Sequence, residues 1–219
     1  MKKNVFGNFF SSLRFGARLL LLAYALGFPL ALAGQYTHTV DLYDWLALSP
    51  EMVWKGQLWR VMSYAFLPMG IVDWAVSLFW LVTLVGVLGK HWSGRLLWEY
   101  SLLSTVVGAV PIVLLKSQAG LVVLGNAAMI FGLLVAWYRL YGRERIILLG
   151  VGEMSVRQAA ILVAIIEVLI LFFSVGWFVT LAMLCGGLAG WGHLAVRWKL
   201  AMMQGSRPTD SERIVRLEI

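Results

Sequence analysis

Long apolar runs separated by short polar stretches dominate the chain. Six of these runs approach the length of about 20 residues that an α-helix needs to cross the apolar core of a bilayer. This pattern predicts an all-α membrane protein with six transmembrane helices in one bundle. The predicted spans, numbered one to six along the chain, lie at about residues 16–34, 70–89, 95–115, 121–141, 157–174 and 177–197.

The polar stretches divide the chain into a short N-terminal segment (residues 1–15), a membrane domain (16–200) and a polar tail (201–219). The longest connection inside the membrane domain, residues 35–67, joins spans one and two. It carries three tryptophans among acidic and apolar residues, and indole rings are favoured at the membrane interface. We therefore expect an amphipathic segment at the membrane surface, containing Trp45, Trp54 and Trp59.

The overall composition agrees with a membrane protein, because 61% of the 219 residues are hydrophobic and 13% are charged. The mean hydropathy of +0.83 lies far from that of soluble domains. The single cysteine, Cys185, excludes an intrachain disulfide and lies in an apolar run, where a packing role is expected. We predict no cofactor and no metal site.

A net charge of +7 is compatible with a nucleic-acid partner, but the basic residues lie at the ends of apolar runs and not on one polar surface. Membrane topology explains them better. With the N-terminus in the cytoplasm, only three of the 18 Lys and Arg residues lie outside, namely Lys55, Arg60 and Lys116. This asymmetry predicts that both termini are cytoplasmic.

The first run has an alternative interpretation, because Lys2 and Lys3 followed by LLLLAYALGFPLALAG resemble a signal peptide with an Ala31-x-Ala33 cleavage site. A retained first helix gives an even number of spans and fits the charge distribution without adjustment. The topology, the short tail and the lack of an organellar presequence predict a multi-pass protein of a bacterial inner membrane.

Four sequence stretches, taken in order, resemble the rhomboid superfamily of intramembrane proteases. They are WKGQLWRVMSYAFLP (54–68), GKHWSGRLLWEYSLLSTVVGA (89–109), GNAAMIFGLLVAWYRLY (125–141) and MLCGGLAGW (183–191). Each stretch alone is a weak signal, whereas their order within six spans is specific. The resemblance covers residues 54–191 and implies a compact six-helix bundle.

The resemblance also implies particular residues at particular positions. A Trp-Arg pair in the first outer loop is matched by Trp59 and Arg60, and the glycines of a Gly-x-x-x-Gly in the sixth helix are matched by Gly186 and Gly190. The family's catalytic serine, in a Gly-x-Ser-Gly that opens the fourth helix, is replaced. That motif reads Gly125-Asn126-Ala127-Ala128 here, and the histidine position, three residues before Gly186, holds Met183.

Hydrolysis of a peptide bond needs a nucleophile and a base within hydrogen-bond reach. Alanine and methionine supply neither. The His-x-x-x-Asn pair of the family's second helix, which helps to stabilise the oxyanion, is also missing: Asp73 or Trp74, and Ser77 or Leu78, fall there, depending on the gap. The three histidines of the chain, His38, His91 and His193, are all predicted to lie too far from Ala127 to replace the base.

Two acidic residues lie within apolar runs, where ionisable groups are costly and often mark functional positions. Glu99 follows Arg95 by four residues, which predicts an ion pair along one helix face. Glu167, in AIIEVLILFF, has no such partner and is a candidate contact for a client protein or an ion.

The replaced catalytic residues predict a rhomboid-like pseudoprotease that does not cleave proteins, and the resemblance implies that it binds transmembrane client proteins within the lipid bilayer. Two alternatives remain open. One is a divergent rhomboid-family serine endopeptidase that uses unrecognised residues, and the other is a small transporter or channel that uses Glu167. The resemblance to inactive relatives such as iRhoms and derlins favours the pseudoprotease.

Overall fold

The computed structural model describes residues 13–37, 41–114, 121–148, 152–174 and 176–203. Long helices make up most of the fold, and a group of short helices lies at one end. Within the described ranges the elements are α1 (Phe15–Thr37), α2 (Leu42–Leu46), α3 (Pro50–Trp54), α4 (Arg60–Ser63), a 3-10 turn (Tyr64–Phe66), α5 (Ile71–His91), α6 (Gly94–Leu114), α7 (Ala127–Tyr141), β1 (Arg145–Leu148), β2 (Gly152–Ser155), α8 (Val156–Ser174) and α9 (Trp177–Met203).

Among the described residues, five helices are long and apolar enough to cross a membrane, namely α1, α5, α6, α8 and α9. They coincide with predicted spans one, two, three, five and six, so the prediction of a mostly helical, multi-span protein is confirmed. The fourth segment differs, because α7 begins at Ala127 and has only 15 residues. At 1.5 Å per residue it is about 22 Å long, which is shorter than the apolar core of a bilayer. A sixth full-length helix is therefore not confirmed.

The late start of α7 follows from backbone contacts that precede it. The N–H and C=O groups of Val123 pair with those of Leu48 at 2.9 and 3.0 Å, in an antiparallel bridge. Gly125 has a φ of +102°, a conformation that favours glycine, and its N–H donates to the Leu67 carbonyl at 2.9 Å. These contacts use backbone groups that a helix beginning near residue 121 would need for itself.

The centre of the bundle is formed by α6, α7 and α9, whose backbones approach closely at small residues. A Cβ added to Gly186 of α9 would lie 2.6 Å from the Ala128 carbonyl oxygen and 2.9 Å from the Ala128 Cβ. Gly108 of α6 lies against the same Ala128 side chain. Further along, Gly190 lies against Tyr100, whose hydroxyl donates to the Gly132 carbonyl at 2.8 Å. Close approach at glycines is a common way for membrane helices to pack.

The bundle has two ends, which differ in the elements they carry. The loop end carries residues 41–70, and the hairpin end carries β1 and β2. These strands pair antiparallel, with Arg145 opposite Ser155 and Leu148 opposite Gly152. The prediction of an all-helical chain is therefore wrong at this connection: the β-branched and apolar residues of β1 favour a strand, and Gly152 has a φ of +99°.

The long connection at the loop end is also more structured than predicted. Three short helices and a 3-10 turn replace the single amphipathic segment that we expected. The three tryptophans nevertheless remain substantially exposed, at 61% for Trp45, 56% for Trp54 and 45% for Trp59. Such exposed indoles suit an interfacial position.

The glycine contacts at the bundle centre lead to a stability prediction. Gly186→Ala places a methyl group against the backbone of α7 and α6, so the helices must move apart, at a cost of about 1–3 kcal/mol. Gly192→Ala, six residues further along the same helix, meets no atom within 4 Å. It should be neutral or slightly stabilising, because alanine favours helix. Thermal unfolding of both variants in detergent measures the difference, and equal midpoints would contradict this account of the packing.

Candidate functional site

A partly enclosed cavity of about 500 Å³ lies near the loop end of the bundle. Its walls come from α5, from the extended segment and first turns of α7, from α8 and from α9. Most of the lining side chains are apolar. The volume falls in the range of cavities that hold small ligands or part of a peptide.

The cavity is lined by the two positions at which the resemblance implies a catalytic serine and a catalytic histidine. Ala127 and Met183 both line it, together with Gly125 and Ala128. Ala128 and Met183 are buried, and Ala127 is partly exposed. The structure therefore brings together positions that are 56 residues apart in the chain (127 and 183), and none of these four side chains has a group that can act as nucleophile or base.

A small polar cluster lies beside these residues, where α5 faces the start of α7. The Ser77 hydroxyl is 3.0 Å from Asn126 Oδ1 and 3.4 Å from Asp73 Oδ1. The backbone N–H of Met69 donates to Asp73 Oδ2 at 2.9 Å, so this carboxylate also holds the chain where it enters α5. Asn126 is only 3% exposed, and its amide nitrogen has no hydrogen-bond partner among the described residues.

The structure shows which of the two candidate residue pairs in the second predicted span lies at the cavity. Asp73 and Ser77 line the cavity, whereas Trp74 and Leu78 pack against the apolar core. Trp74 also stacks on Phe28 of α1, with ring centroids 5.7 Å apart. The pair that faces Ala127 is therefore Asp73 and Ser77.

Glu167 of α8 lines the same cavity as Asp73 of α5. It is half-buried, and no hydrogen bond or ion pair joins it to another residue in the ranges that the structure describes. The cavity thus contains two carboxyl groups, and its described lining includes no lysine, arginine or histidine. Sequence reasoning identified Glu167 from its position in an apolar run, but nothing in the local pattern indicated that Asp73 would face it.

Two of the histidines lie at the hairpin end, away from the cavity. His91 packs against Tyr141, with ring centroids 5.9 Å apart, and His193 packs edge-on against Tyr100 at 5.7 Å. Neither lines the cavity. His38 lies outside the described residues.

Trp59 and Arg60 hold the loop end together. The last carbonyl groups of a helix have no partner within the helix, and in α2 these groups are satisfied by side chains from the start of α4. Arg60 Nη2 donates to the Asp44 carbonyl at 2.6 Å, and Arg60 Nη1 donates to the Ala47 carbonyl at 2.7 Å. Trp59 Nε1 donates to the Trp45 carbonyl at 3.2 Å.

The remaining carbonyl of this set, that of Leu46, accepts from the Ser63 hydroxyl at 2.7 Å. Four successive carbonyls are therefore bound by three side chains. Arg60 is 5% exposed, and its Nε also donates to Gln57 Oε1 at 2.6 Å. A buried guanidinium at a helix C-terminus also interacts favourably with the helix dipole.

Tyr64 connects the loop end to the cavity and to α6. Its hydroxyl donates to the Thr105 carbonyl at 3.0 Å, its own carbonyl lies 3.3 Å from the Gly125 nitrogen, and its side chain lines the cavity. Burial raises the pKa of Tyr64. The phenol therefore remains a protonated donor throughout the physiological pH range.

The ion pair predicted between Arg95 and Glu99 is confirmed, with Arg95 Nε 2.6 Å from Glu99 Oε1. Arg197 of α9 also approaches the same carboxylate, at 3.6 Å. All three side chains are at least 40% exposed, so this cluster connects α6 to α9 at the hairpin end and contributes little to stability.

Taken together, these features define a helical, multi-pass membrane protein with an apolar cavity that contains a few polar groups. A family described as "Eukaryotic integral membrane protein (DUF1751)" matches residues 18–195. The chain belongs to this family. Among curated proteins, none matches the chain.

The family description overturns one expectation. The predicted bacterial inner membrane is wrong, because the family is described as eukaryotic, whereas multi-pass integration into a membrane is supported. The error has a physical origin. Basic residues are retained on the cytoplasmic side of bacterial and eukaryotic membranes alike, so their distribution carries no information about the organism.

The contacts of Arg60 lead to a second prediction. Arg60→Ala removes the donor to the buried Ala47 carbonyl, which costs about 1–3 kcal/mol when left unsatisfied, and the donor to the partly buried Asp44 carbonyl. We expect a clear fall in the unfolding midpoint and faster protease cleavage within residues 41–63. Arg60→Lys should recover only part of the loss, because an ammonium group cannot reproduce the planar fork.

Lys55→Ala is the matched control in the same connection. Lys55 is exposed and forms an i,i+4 pair with Glu51 at 2.5 Å, and this hydrogen bond lowers the pKa of the Glu51 carboxyl. Its loss should leave the unfolding midpoint and the cleavage rate nearly unchanged. If Arg60→Ala behaved like Lys55→Ala, the role assigned to Arg60 would be wrong.

Proposed function

We propose that the chain is a rhomboid-like pseudoprotease scaffold, which binds transmembrane client proteins in its cavity and does not cleave them. The observation that carries this proposal is the content of the cavity. At the positions where the resemblance expects the catalytic pair, Ala127 and Met183 line a cavity that is still open. In this proposal the chain keeps the fold that surrounds the catalytic residues of a protease but lacks the side chains that react.

The route by which a client helix enters is proposed to lie between α5 and α8. Both helices line the cavity, and each contributes an exposed apolar residue to its lining, Val76 at 48% and Ile170 at 54%. Exposed apolar side chains beside a cavity suit contact with lipid and with another transmembrane helix. A client can therefore approach from within the bilayer.

The proposed topology has six crossings, of which the fourth combines α7 with the extended segment 121–126. Irregular backbone at membrane depth is tolerated where it is buried in protein and its polar groups are satisfied, as the pairing of Val123 with Leu48 allows. Basic residues gather at the hairpin end, among them Arg95, Arg145 and Arg197. This supports a cytoplasmic hairpin end and cytoplasmic termini.

The remaining hydroxyl groups near the cavity do not form a replacement catalytic pair. Ser77 is hydrogen-bonded within the polar cluster, and the described lining has no histidine or lysine to act as its base. Ser101 and Ser104 are buried in α6 and lie outside the cavity lining. Among the described residues, no geometry therefore supports a divergent serine protease.

A transporter or channel is the second candidate function, and the observation that favours it is the pair of carboxyl groups, Asp73 and Glu167, in one cavity. Ionisable residues of this kind occur on ion and proton pathways. Flux across proteoliposomes that Glu167→Gln abolishes would favour this function over the scaffold. An absence of flux in the unaltered protein would exclude it.

The pseudoprotease proposal predicts no proteolysis. The purified protein, incubated with a panel of transmembrane reporter substrates, should release no product above a detergent blank, and a serine-directed activity probe should not label it. Ala127→Gly serves as the control, because neither residue has a nucleophile. Turnover above the blank that survives in Ala127→Gly would mean that other residues perform hydrolysis, and the proposal would fail.

The scaffold role predicts a contact with client helices at the rim of the cavity. A photo-crosslinking residue at position 76 should capture single-pass membrane proteins, whereas one at position 22 should not. Val76 and Leu22 are equally exposed at 48%, but only Val76 lines the cavity. Equal capture from the two positions would show non-specific contact within the membrane and would contradict the scaffold.

A further inference from the structure

The cavity has an unbalanced charge, which points to the chemistry of its occupant. Asp73 on one wall and Glu167 on the other are both acidic, and the lining in the described ranges contains no basic residue. Two carboxylates in one apolar cavity repel each other, and the described lining offers neither of them a basic partner. A cation between them replaces this repulsion with two attractions.

The neighbouring polar groups agree with an occupant that is polar and not purely apolar. Asn126 is 97% buried and lines the cavity. Its side-chain amide nitrogen has no hydrogen-bond partner among the described residues. A buried donor of this kind is costly unless something accepts its hydrogen bond. Asn126 Oδ1 and Asp73 are already engaged by Ser77 and Met69, whereas Glu167 is not.

The depth of Glu167 sets where the cation of the occupant must lie. Glu167 is seven residues before Ser174, where α8 ends near the loop end, a distance of about 10 Å along the helix axis. Asp73 lies in the first turn of α5, closer to the loop end. A cation that meets both carboxyl groups therefore lies in the half of the membrane on the loop side.

We propose that the cavity selects transmembrane helices that carry a lysine or arginine side chain in this half of the membrane. The inference rests on the proposed scaffold function and adds the chemical class of the client. A basic residue in a single transmembrane helix is costly in lipid, and pairing with a buried carboxylate lowers that cost. The apolar rim accommodates the rest of the helix.

The test uses the full chain in native membranes, with the photo-crosslinking residue at position 76. The probes are single-pass helices of leucine and alanine that differ at one guest position, about seven residues from the loop-side end. The guest residue is Lys, Leu, Gln or Glu. The Lys helix should crosslink about 5- to 30-fold more strongly than the Leu helix, as expected for a polar contact within a membrane.

Variants of the cavity separate charge from hydrogen bonding. Glu167→Gln should remove most of the preference for Lys over Gln, and Glu167→Lys should reverse it in favour of Glu. Asp73→Asn should weaken the preference while it keeps an oxygen to accept from the Met69 N–H. Glu153→Gln, which removes an exposed carboxylate of β2 away from the cavity, is the matched control and should leave the preference unchanged.

The outcomes distinguish this inference from the function on which it rests. If the Leu and Lys helices crosslink equally and specifically at position 76, the scaffold stands and the charge selection is wrong. If the Lys preference persists in Glu167→Gln and Asp73→Asn, the carboxyl groups do not cause it and the inference is also wrong. If no helix crosslinks, both proposals fail. A small organic cation that binds the purified protein while no helix crosslinks would point to transport.

Discussion

The fold depends on one constraint, that every polar backbone group at membrane depth must find a partner within the protein. Most of the chain meets it with helices. Among the described residues, the segment before α7 is extended instead, and its backbone pairs with Leu48 and Leu67. Because these partners lie in the long connection, that connection has to be ordered, and the hydrogen bonds of Trp59, Arg60 and Ser63 to α2 provide that order.

This arrangement also explains how an open cavity can exist in the bundle. Since α7 begins inside the protein, the space that another turn and a half of helix would occupy is lined by the extended segment. The close contacts of Ala128 with Gly108 and Gly186 hold the start of α7 in place. The pairing of the extended segment with Leu48 therefore fixes one part of the cavity wall, and the contacts of Ala128 with the two glycines fix another. The polar groups of the cavity line the space between them.

Much of the helical architecture was predictable because transmembrane segments have a simple signal, a long run of apolar residues. The same signal misled at residues 121–126, where an apolar sequence takes an extended form. Its partner, Leu48, lies 75 residues earlier in the chain (123 and 48), and no local pattern reveals such a pairing. The hairpin of β1 and β2 was also missed. A short apolar run is compatible with a strand or a helix, and the long helical runs on either side favoured a helix.

The candidate site was predictable in part. The resemblance pointed to Ala127 and Met183, and hydropathy pointed to Glu167, but each came from a separate argument. These three residues share a cavity with Asp73, Ser77 and Asn126. The sharing depends on the rotation of α5 and α8 about their axes, and the sequence does not determine this rotation to within one residue. The bacterial assignment was wrong because membrane insertion follows the same charge rule in different organisms.

The extended segment before α7 also acts as a spacer of fixed length. One residue added between Val123 and Ala127 would rotate α7 by about 100° relative to its anchor at Leu48. Ala128 would then turn away from Gly108 and Gly186, and a larger side chain would meet those glycines instead. Insertions or deletions in this short stretch should therefore be excluded among functional relatives.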